Sequence, residues 1–352
     1  MNFDLNELGW NDFFAAQFQP YSAQNYQAGR ISAEHKNRFQ VYTEAGEIWA
    51  TISGKLRYTA LERSDYPAVG DWVALDADVI QAVLPRSSKF SRKSAGNTSE
   101  EQIIATNIDT VFLVNALNFD LNTRRIERYL TLAWESGATP PVILLNKSDL
   151  CEDLPAKIKE VEASAPGVSI HPISSLTGDG IRELEPYLKT GRTIALLGSS
   201  GAGKSTLINQ LMGAEVQKTG SIREADSRGR HTTTSRELFV LPQGGLLIDT
   251  PGMREIQLYG TGEGLYDAFE DIYDYAKGCR FSDCGHEAEP GCAIQQALAE
   301  GVLTAERYES FRKLQREANY ISRKTNLQEQ RQEKQKWKKI SQELKERYRT
   351  QR

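Results

Sequence analysis

The chain is expected to be an α/β protein built in three parts, and three observations predict this. Short apolar segments separated by Gly and Pro fill residues 38–100, the pattern of a small all-β barrel. Strand and helix patterns then alternate over residues 101–262, as in a doubly wound sheet. Three of the four cysteines crowd into residues 279–292, inside a helical C-terminal part spanning 263–352.

Each part is justified in chain order. Residues 1–37 are polar with scattered aromatics and no clear period, and read as a loosely ordered extension. "RFQVYTEAG", "EIWATISG", "RYTALE", "DWVALDA" and "VIQAVLPR" read as barrel strands, with turns at Gly46, Gly54, Pro67, Gly70 and Pro85. "RSSKFSRK" (86–93) reads as an exposed basic loop or linker. "TVFLVNA" is a continuous apolar run, as a parallel strand covered on both faces requires. "RRIERYLTLAWES" places apolar residues at helical spacing. The alternation continues with "PVILLN" (strand), 154–164 (helix), "VSIHPIS" (strand), "GIRELEPYL" (helix), "RTIALLG" (strand) and "KSTLINQLM" (helix). Two further strands, "ELFVLP" and "GLLIDTPG", complete the sheet, and 264–276 reads as one acidic helix.

Composition excludes several classes. No apolar run approaches the ~20 residues that span a bilayer, and the N-terminus lacks a basic region followed by an apolar stretch. Four cysteines in 352 residues do not make a disulfide scaffold, so a cytoplasmic protein without membrane attachment is expected. The net charge of −4 hides an asymmetry. Residues 323–352 carry 11 Lys/Arg against 4 Asp/Glu, a local +7 that leaves −11 for the rest.

"GSSGAGKS" (198–205) fits G-x-x-x-x-G-K-[ST] and lies between an apolar strand and a helix, the context that a phosphate loop requires. Gly198, Gly201 and Gly203 let the backbone turn closely around an anion. The amides of Ser199, Ser200, Ala202 and Thr206 lie along the same turn and helix start, facing phosphates. Lys204 is placed to neutralise β/γ oxygens and Ser205 to offer its hydroxyl to Mg²⁺. "LLIDTPG" (246–252) adds Asp249, placed to hold Mg²⁺ through water, and the Gly252 amide, placed to sense a γ-phosphate.

A phosphate loop alone also serves ATPases and kinases. "LLNKSDL" (144–150) discriminates. The Asp149 carboxylate can accept from guanine N1–H and the 2-amino group, a donor pair that adenine lacks. Asn146, Lys147 and Ser148 shape that loop. "SSLTGDG" (174–180) resembles a second base-contacting loop, with Ser174, Ser175 and Leu176 at its core. The order, guanine loop before phosphate loop, is the reverse of the usual one. It implies a circularly permuted P-loop GTPase domain whose joint lies near Thr190-Gly191-Arg192.

Cys279, Cys284, His286 and Cys292 have the spacing C-x₄-C-x-H-x₅-C, a Cys₃His set suited to one tetrahedral Zn²⁺ with no open position, hence a structural role. Cys151 has no partner in sequence and reads as an ordinary free thiol.

"NFDLNTRRIERYL", "LLNKSDL", "GSSGAGKSTLIN", "GRHTTTS", "IDTPGMRE" and the Cys/His cluster together resemble the circularly permuted GTPases of the RsgA (YjeQ/YloQ) type, over residues ~38–320. The resemblance implies that the barrel is an OB-fold. It further implies GTP hydrolysis to GDP stimulated by the small ribosomal subunit late in its maturation, with barrel and zinc module gripping 16S rRNA. A monomer is expected.

The position after "DTPG" that often holds a water-orienting Gln is Met253, so slow intrinsic hydrolysis is expected. His231 in "GRHTTTS" is the internal catalytic candidate, against a reading as an exposed loop histidine; similarity favours Thr233 as the Mg²⁺-shell threonine. Of Phe39, Tyr42, Trp49, Tyr58 and Trp72, core packing is expected for most, and the basic tail reads as a helix reaching rRNA phosphates or a solvated one. Two further readings stand: a GTP-gated RNA-binding module with incidental hydrolysis, and a large-subunit assembly GTPase, which the barrel and Cys₃His cluster disfavour.

Overall fold

The computed structural model describes residues 2–36, 38–93, 101–118, 121–138, 140–215, 236–249 and 263–323. His231, Thr233, Gly252, Met253 and the tail beyond residue 323 lie outside the described residues.

The barrel has five strands: β1 (Gln27–His35), β2 (Arg38–Thr43), β3 (Gly46–Ile52), β4 (Trp72–Asp76) and β5 (Val79–Val83). They pair in the order β1-β2-β3-β5-β4, and β4 returns to β1 to close it. Ile31, Val41, Ala50, Val73, Leu75 and Ile80 fill its interior. Of the five aromatics singled out above, Phe39 and Trp72 are buried, while Trp49 and Tyr58 are 49% and 90% exposed. The barrel therefore begins at Gln27 rather than near residue 38, where the sequence pattern places it.

The N-terminus is ordered as well. Asn11 caps α1 (Asp12–Ser22), its side chain accepting from the Phe13 and Phe14 amides. Trp10 and Phe14 then pack on Trp72 with ring centroids 4.7 and 5.8 Å away. Asn11 is a preferred cap residue, and Phe14, Phe18 and Tyr21 recur at helical spacing, a signal that the scattered polar residues obscure. Two other segments differ from expectation. "RYTALE" is not a strand: Ser53 caps a short helix, α2 (Gly54–Thr59), by accepting from the Leu56 amide. "RSSKFSRK" is not a free linker: β6 (Lys89–Lys93) pairs with β7 (Glu101–Thr106), and Phe90 is buried.

Arg30 holds this region together. It is 1% exposed and donates to the carbonyls of Gly70 (3.2 Å), Asn107 (3.0 Å) and Leu8. Burial lowers its pKa to about 10, which still leaves it charged at neutral pH. It thus ties the N-terminal turn, the barrel and the strand leading into the next domain. Arg30→Met strands the Leu8 and Asn107 carbonyls, while Gly70 O keeps the Asn107 side-chain amide as donor, and a loss of about 2–4 kcal/mol is expected in urea denaturation; an unchanged midpoint would show that the carbonyls find other donors.

In the α/β domain, β8 (Thr110–Ala116), β9 (Val142–Asn146), β10 (Ser169–Pro172), β11 (Thr193–Gly198) and β13 (Leu246–Asp249) form a parallel sheet in the order β10-β9-β8-β11-β13. β12 (Glu237–Val240) adds antiparallel to β13 and meets β1 at Ala33↔Glu237, so the domain sheet continues into the barrel. The alternation within the strands assigns the two faces. Val111, Leu113, Ile143, Leu145, Ala195 and Leu197 face one core with Ile126 and Leu130 of α3 (Thr123–Glu135). Phe112, Val114, Val142, Leu144, Ile194 and Leu196 face the other with Leu207, Ile208 and Leu211 of α5 (Lys204–Met212). Asp153 caps α4 (Leu154–Ser164), whose limits match the sequence expectation. The segment Ile181–Tyr187 is a 3₁₀ rather than an α-helix, with Pro186 inside it removing one backbone donor.

The expected single helix 264–276 is two, α6 (Glu263–Ala268) and α7 (Glu270–Lys277), broken at Phe269, which is fully buried. After α8 (Ala293–Ala299), a helix over 305–323, α9, lies against α3 through Arg124–Glu309 (3.1 Å) and Arg128–Glu317 (2.6 Å). Arg307, 6% exposed at its side chain, donates to Asp271, Glu127 and the carbonyls of Ser164 and Ala268. Burial alone would lower its pKa, but Asp271 and Glu127 more than offset it and hold the guanidinium charged. This network bolts the C-terminal helices to α3 and the end of α4.

Candidate nucleotide and metal sites

In open α/β sheets the ligand crevice lies beyond the carboxyl ends of the strands. Here Asn146 ends β9, Ser174 follows β10, Gly198 ends β11 and Asp249 ends β13. Four segments distant in sequence therefore open onto one edge of the sheet.

Asn146 joins three of them. It is 1% exposed. Its amide donates to the Ala202 carbonyl in the phosphate loop (2.8 Å), and its Oδ1 accepts from the Ser175 N–H and hydroxyl (both 2.9 Å). Lys147 adopts a left-handed backbone (φ 65°, ψ 37°), turning the chain into a short 3₁₀ helix, Ser148–Leu150, that presents Asp149 at the surface. The Ser148 amide donates to the Ile173 carbonyl (3.0 Å), fixing this turn to the base of the second loop. That loop is closed by Ser174 N–H to Asp179 O (2.9 Å) and by the Thr177 hydroxyl to Asp179 Oδ2 (2.7 Å). Leu176 projects from it, 78% exposed.

The phosphate loop runs from buried Gly198 into α5, with Gly201 and Gly203 at positive φ (77° and 94°). The Lys204 ammonium lies over the loop, donating to Gly198 O and Ser199 O (both 2.7 Å). Ser205 and Thr206 occupy the first turn of α5, whose amides point into the loop. Asp249 is buried at the end of the neighbouring β13. Gly203 is required twice over. Its φ disfavours any side chain, and a Cβ there would meet the Asn146 amide nitrogen at 2.2 Å. Gly203→Ala must therefore displace a buried side chain that holds three loops. A weakening of GDP binding by about 10- to 100-fold is expected by fluorescence titration; unchanged affinity would mean that Asn146 is dispensable as a tie.

The cysteine cluster is assembled separately, between α7 and α8. The donor atoms of Cys279, Cys284, His286 and Cys292 all lie within 4.8 Å of one another. Cys279 Sγ and Cys292 Sγ are each 3.5 Å from His286 Nδ1 and 3.9 Å from each other. A tetrahedral ion with bonds of about 2.0–2.3 Å needs edges of that size, so the donor set fits zinc. Glu289, which the spacing of the ligands does not reveal, shapes the loop: its carboxylate accepts from the amides of Gly285, Glu287 and Ala288 (2.8–3.0 Å). Backbone N–H groups thereby hold its pKa down to about 2. Gln295 donates to His286 O (2.6 Å) and fixes the histidine's backbone. Cys151 is half-buried and makes no disulfide.

Comparison with known proteins meets this geometry. The family model described as RsgA GTPase matches residues 83–259. A relative from Opitutus terrae, "Small ribosomal subunit biogenesis GTPase RsgA", is 47% identical, with 96% of each chain covered. The chain belongs to the RsgA GTPase family. Another RsgA, from Lactiplantibacillus plantarum, is 50% identical over 83% of each chain. Among solved structures, YjeQ from Thermotoga maritima superposes with a TM-score of 0.63 at 30% identity, covering 83% of this chain and 98% of that one. YloQ, described as a circularly permuted GTPase, gives 0.59 at 24% identity, over 84% and 95%, and supports the fold alone. A model described as ABC transporter matches residues 181–350, a span that contains the phosphate loop but neither the guanine loop nor the barrel. Membership of the RsgA family makes this chain a GTPase, and the permuted order of its loops is that of the family's fold. Among the described residues no helix is long and apolar enough to cross a membrane.

Proposed function

We propose that this GTPase acts in biogenesis of the small ribosomal subunit, as the names of its RsgA relatives state for them. The observation that carries the site assignment is the Asn146 tie, which brings the guanine-type loop, the second base loop and the phosphate loop to one edge of the sheet. Asp149 reads guanine, Ser174–Leu176 flank the base, and Gly198–Thr206 with Lys204 hold the phosphates. Ser205 and Asp249, with Thr233, are suited to hold Mg²⁺, which would neutralise charge gathering on the β/γ oxygens. One zinc ion in the Cys₃His cluster would serve as a structural clamp. Gly252 senses the γ-phosphate and His231 positions the attacking water, both in segments beyond the described residues.

The partner is the small subunit and its 16S rRNA, gripped by barrel and zinc module, with a cytoplasmic monomer cycling between GTP and GDP. Turnover on the subunit is faster because the chain has Met253 where a water-orienting Gln often stands, and the subunit completes the site. The relatives' names favour this over a role on the large subunit. The test is nucleotide turnover, GTP against ATP, with and without purified small subunits. GTP-selective turnover that rises by orders of magnitude on the subunit is expected; rates indifferent to the subunit would refute the assignment of partner. Unchanged turnover of His231→Ala at saturating subunit would remove that residue from the chemistry.

A further inference from the structure

The second base loop is carried by two weak elements. The strand before it, β10, has four residues and lies at the sheet edge, paired only with β9. The helix after it, Ile181–Tyr187, is 3₁₀, a form seldom longer than three or four residues, and it contains Pro186.

His171 lies on β10 and spans the gap. Its Nδ1 is 3.1 Å from Glu183 Oε2 and its Nε2 is 3.2 Å from the Tyr187 hydroxyl. A neutral imidazole satisfies both contacts, Nδ1–H donating to the carboxylate and Nε2 accepting from the phenol. Tyr187 in turn packs edge-on against Phe112 of β8, a fully buried core residue (5.7 Å). At the neck of the loop Gly180 (φ 73°) lies so close to the incoming chain that a Cβ would come within 2.4 Å of Pro172 O. The stretch 172–187 is therefore a lasso, closed at its neck by Gly180 and at its far end by His171. It carries Ser175, whose bonds to Asn146 continue to the phosphate loop.

We propose that His171, through Glu183 and Tyr187, is a positioning residue for guanine recognition: it holds the 174–176 loop against the nucleotide and so governs nucleotide release. The inference rests on the reading that this loop contacts the base. In the full-length protein, His171→Ala is expected to raise the dissociation rate of fluorescent GDP and the KM for GTP by about 5-fold, with kcat within 2-fold. His171→Asn keeps a donor near the Nδ1 position facing Glu183 and is expected to recover part of the loss. Glu183→Ala combined with Tyr187→Phe removes both partners and is expected to reproduce His171→Ala without adding to it in the triple variant. A His171→Ala protein with wild-type release and KM, or one whose kcat and KM deteriorate together with its melting temperature, would overturn the proposal. Ser175→Ala in the same assay separates the two layers. If it also leaves GDP release unchanged, the loop's contact with the base is wrong; if it alone accelerates release, only the clamp is.

Discussion

Replacing Asp149 with Asn is expected to turn the base preference from guanine to xanthine. A carboxylate accepts from both guanine N1–H and the 2-amino group, and each charge-assisted bond is worth about 1.5–3 kcal/mol. Asn offers one acceptor and one donor. Xanthine keeps N1–H but carries a 2-oxo group, so it matches Asn and repels Asp. A site built around such bonds rejects a nucleotide lacking them by about 10⁴-fold. Relative affinity for GTP over XTP should therefore invert in Asp149→Asn. The fold should survive, because Asp149 is exposed and the loop's backbone is held by Asn146 and Ser148 rather than by its carboxylate. Competition titration against fluorescent GDP reads the change; a variant still selective for GTP would place the base elsewhere.

The second large effect concerns metal. In small zinc modules the binding free energy, about 10–16 kcal/mol, is folding free energy. Residues 278–292 have little apolar mass, and only Cys292 among the four ligands is buried. Wild type is expected to hold one zinc ion per chain, and Cys292→Ser, or a strong chelator, should release it. The 278–299 region should then open to amide exchange, because Cys292 is the N-cap of α8, which buries Ile294 and Ala297. Exchange protection of α9 should persist, because its Arg307 binds Asp271 and Glu127 and its Glu317 accepts from Arg128 of α3 without the metal. A variant with wild-type zinc content and exchange would contradict the structural role.

How legible these features were depended on how local their causes are. β8, β9 and β11 announced themselves because both faces are buried, which leaves unbroken apolar runs. The phosphate loop and the Cys/His set are compact in sequence, so spacing sufficed. β1 was illegible because it serves the barrel and the domain junction at once. Its buried stretch, Gly29 to Ala33, includes Arg30 and Ser32, polar residues that no alternation rule places inside. The break at Phe269 follows from burial of that ring beneath Arg307, a contact from another helix. Local sequence assigns Asn146 to the shaping of its own loop. Its bonds to Ala202 and Ser175 exist only because β9, β10 and β11 end together, and His171 matters for the same reason.

In the proposed site one guanine nucleotide is held at its two ends, by Asp149 and by the Gly198–Ser205 loop. A crystal structure with GDP and Mg²⁺ measures this directly. The Asp149 carboxylate should lie within hydrogen-bond distance of guanine N1 and N2, with the β-phosphate inside the loop beside Lys204. A diphosphate seated in the loop with its base turned away from Asp149 would show that this carboxylate does not read the base.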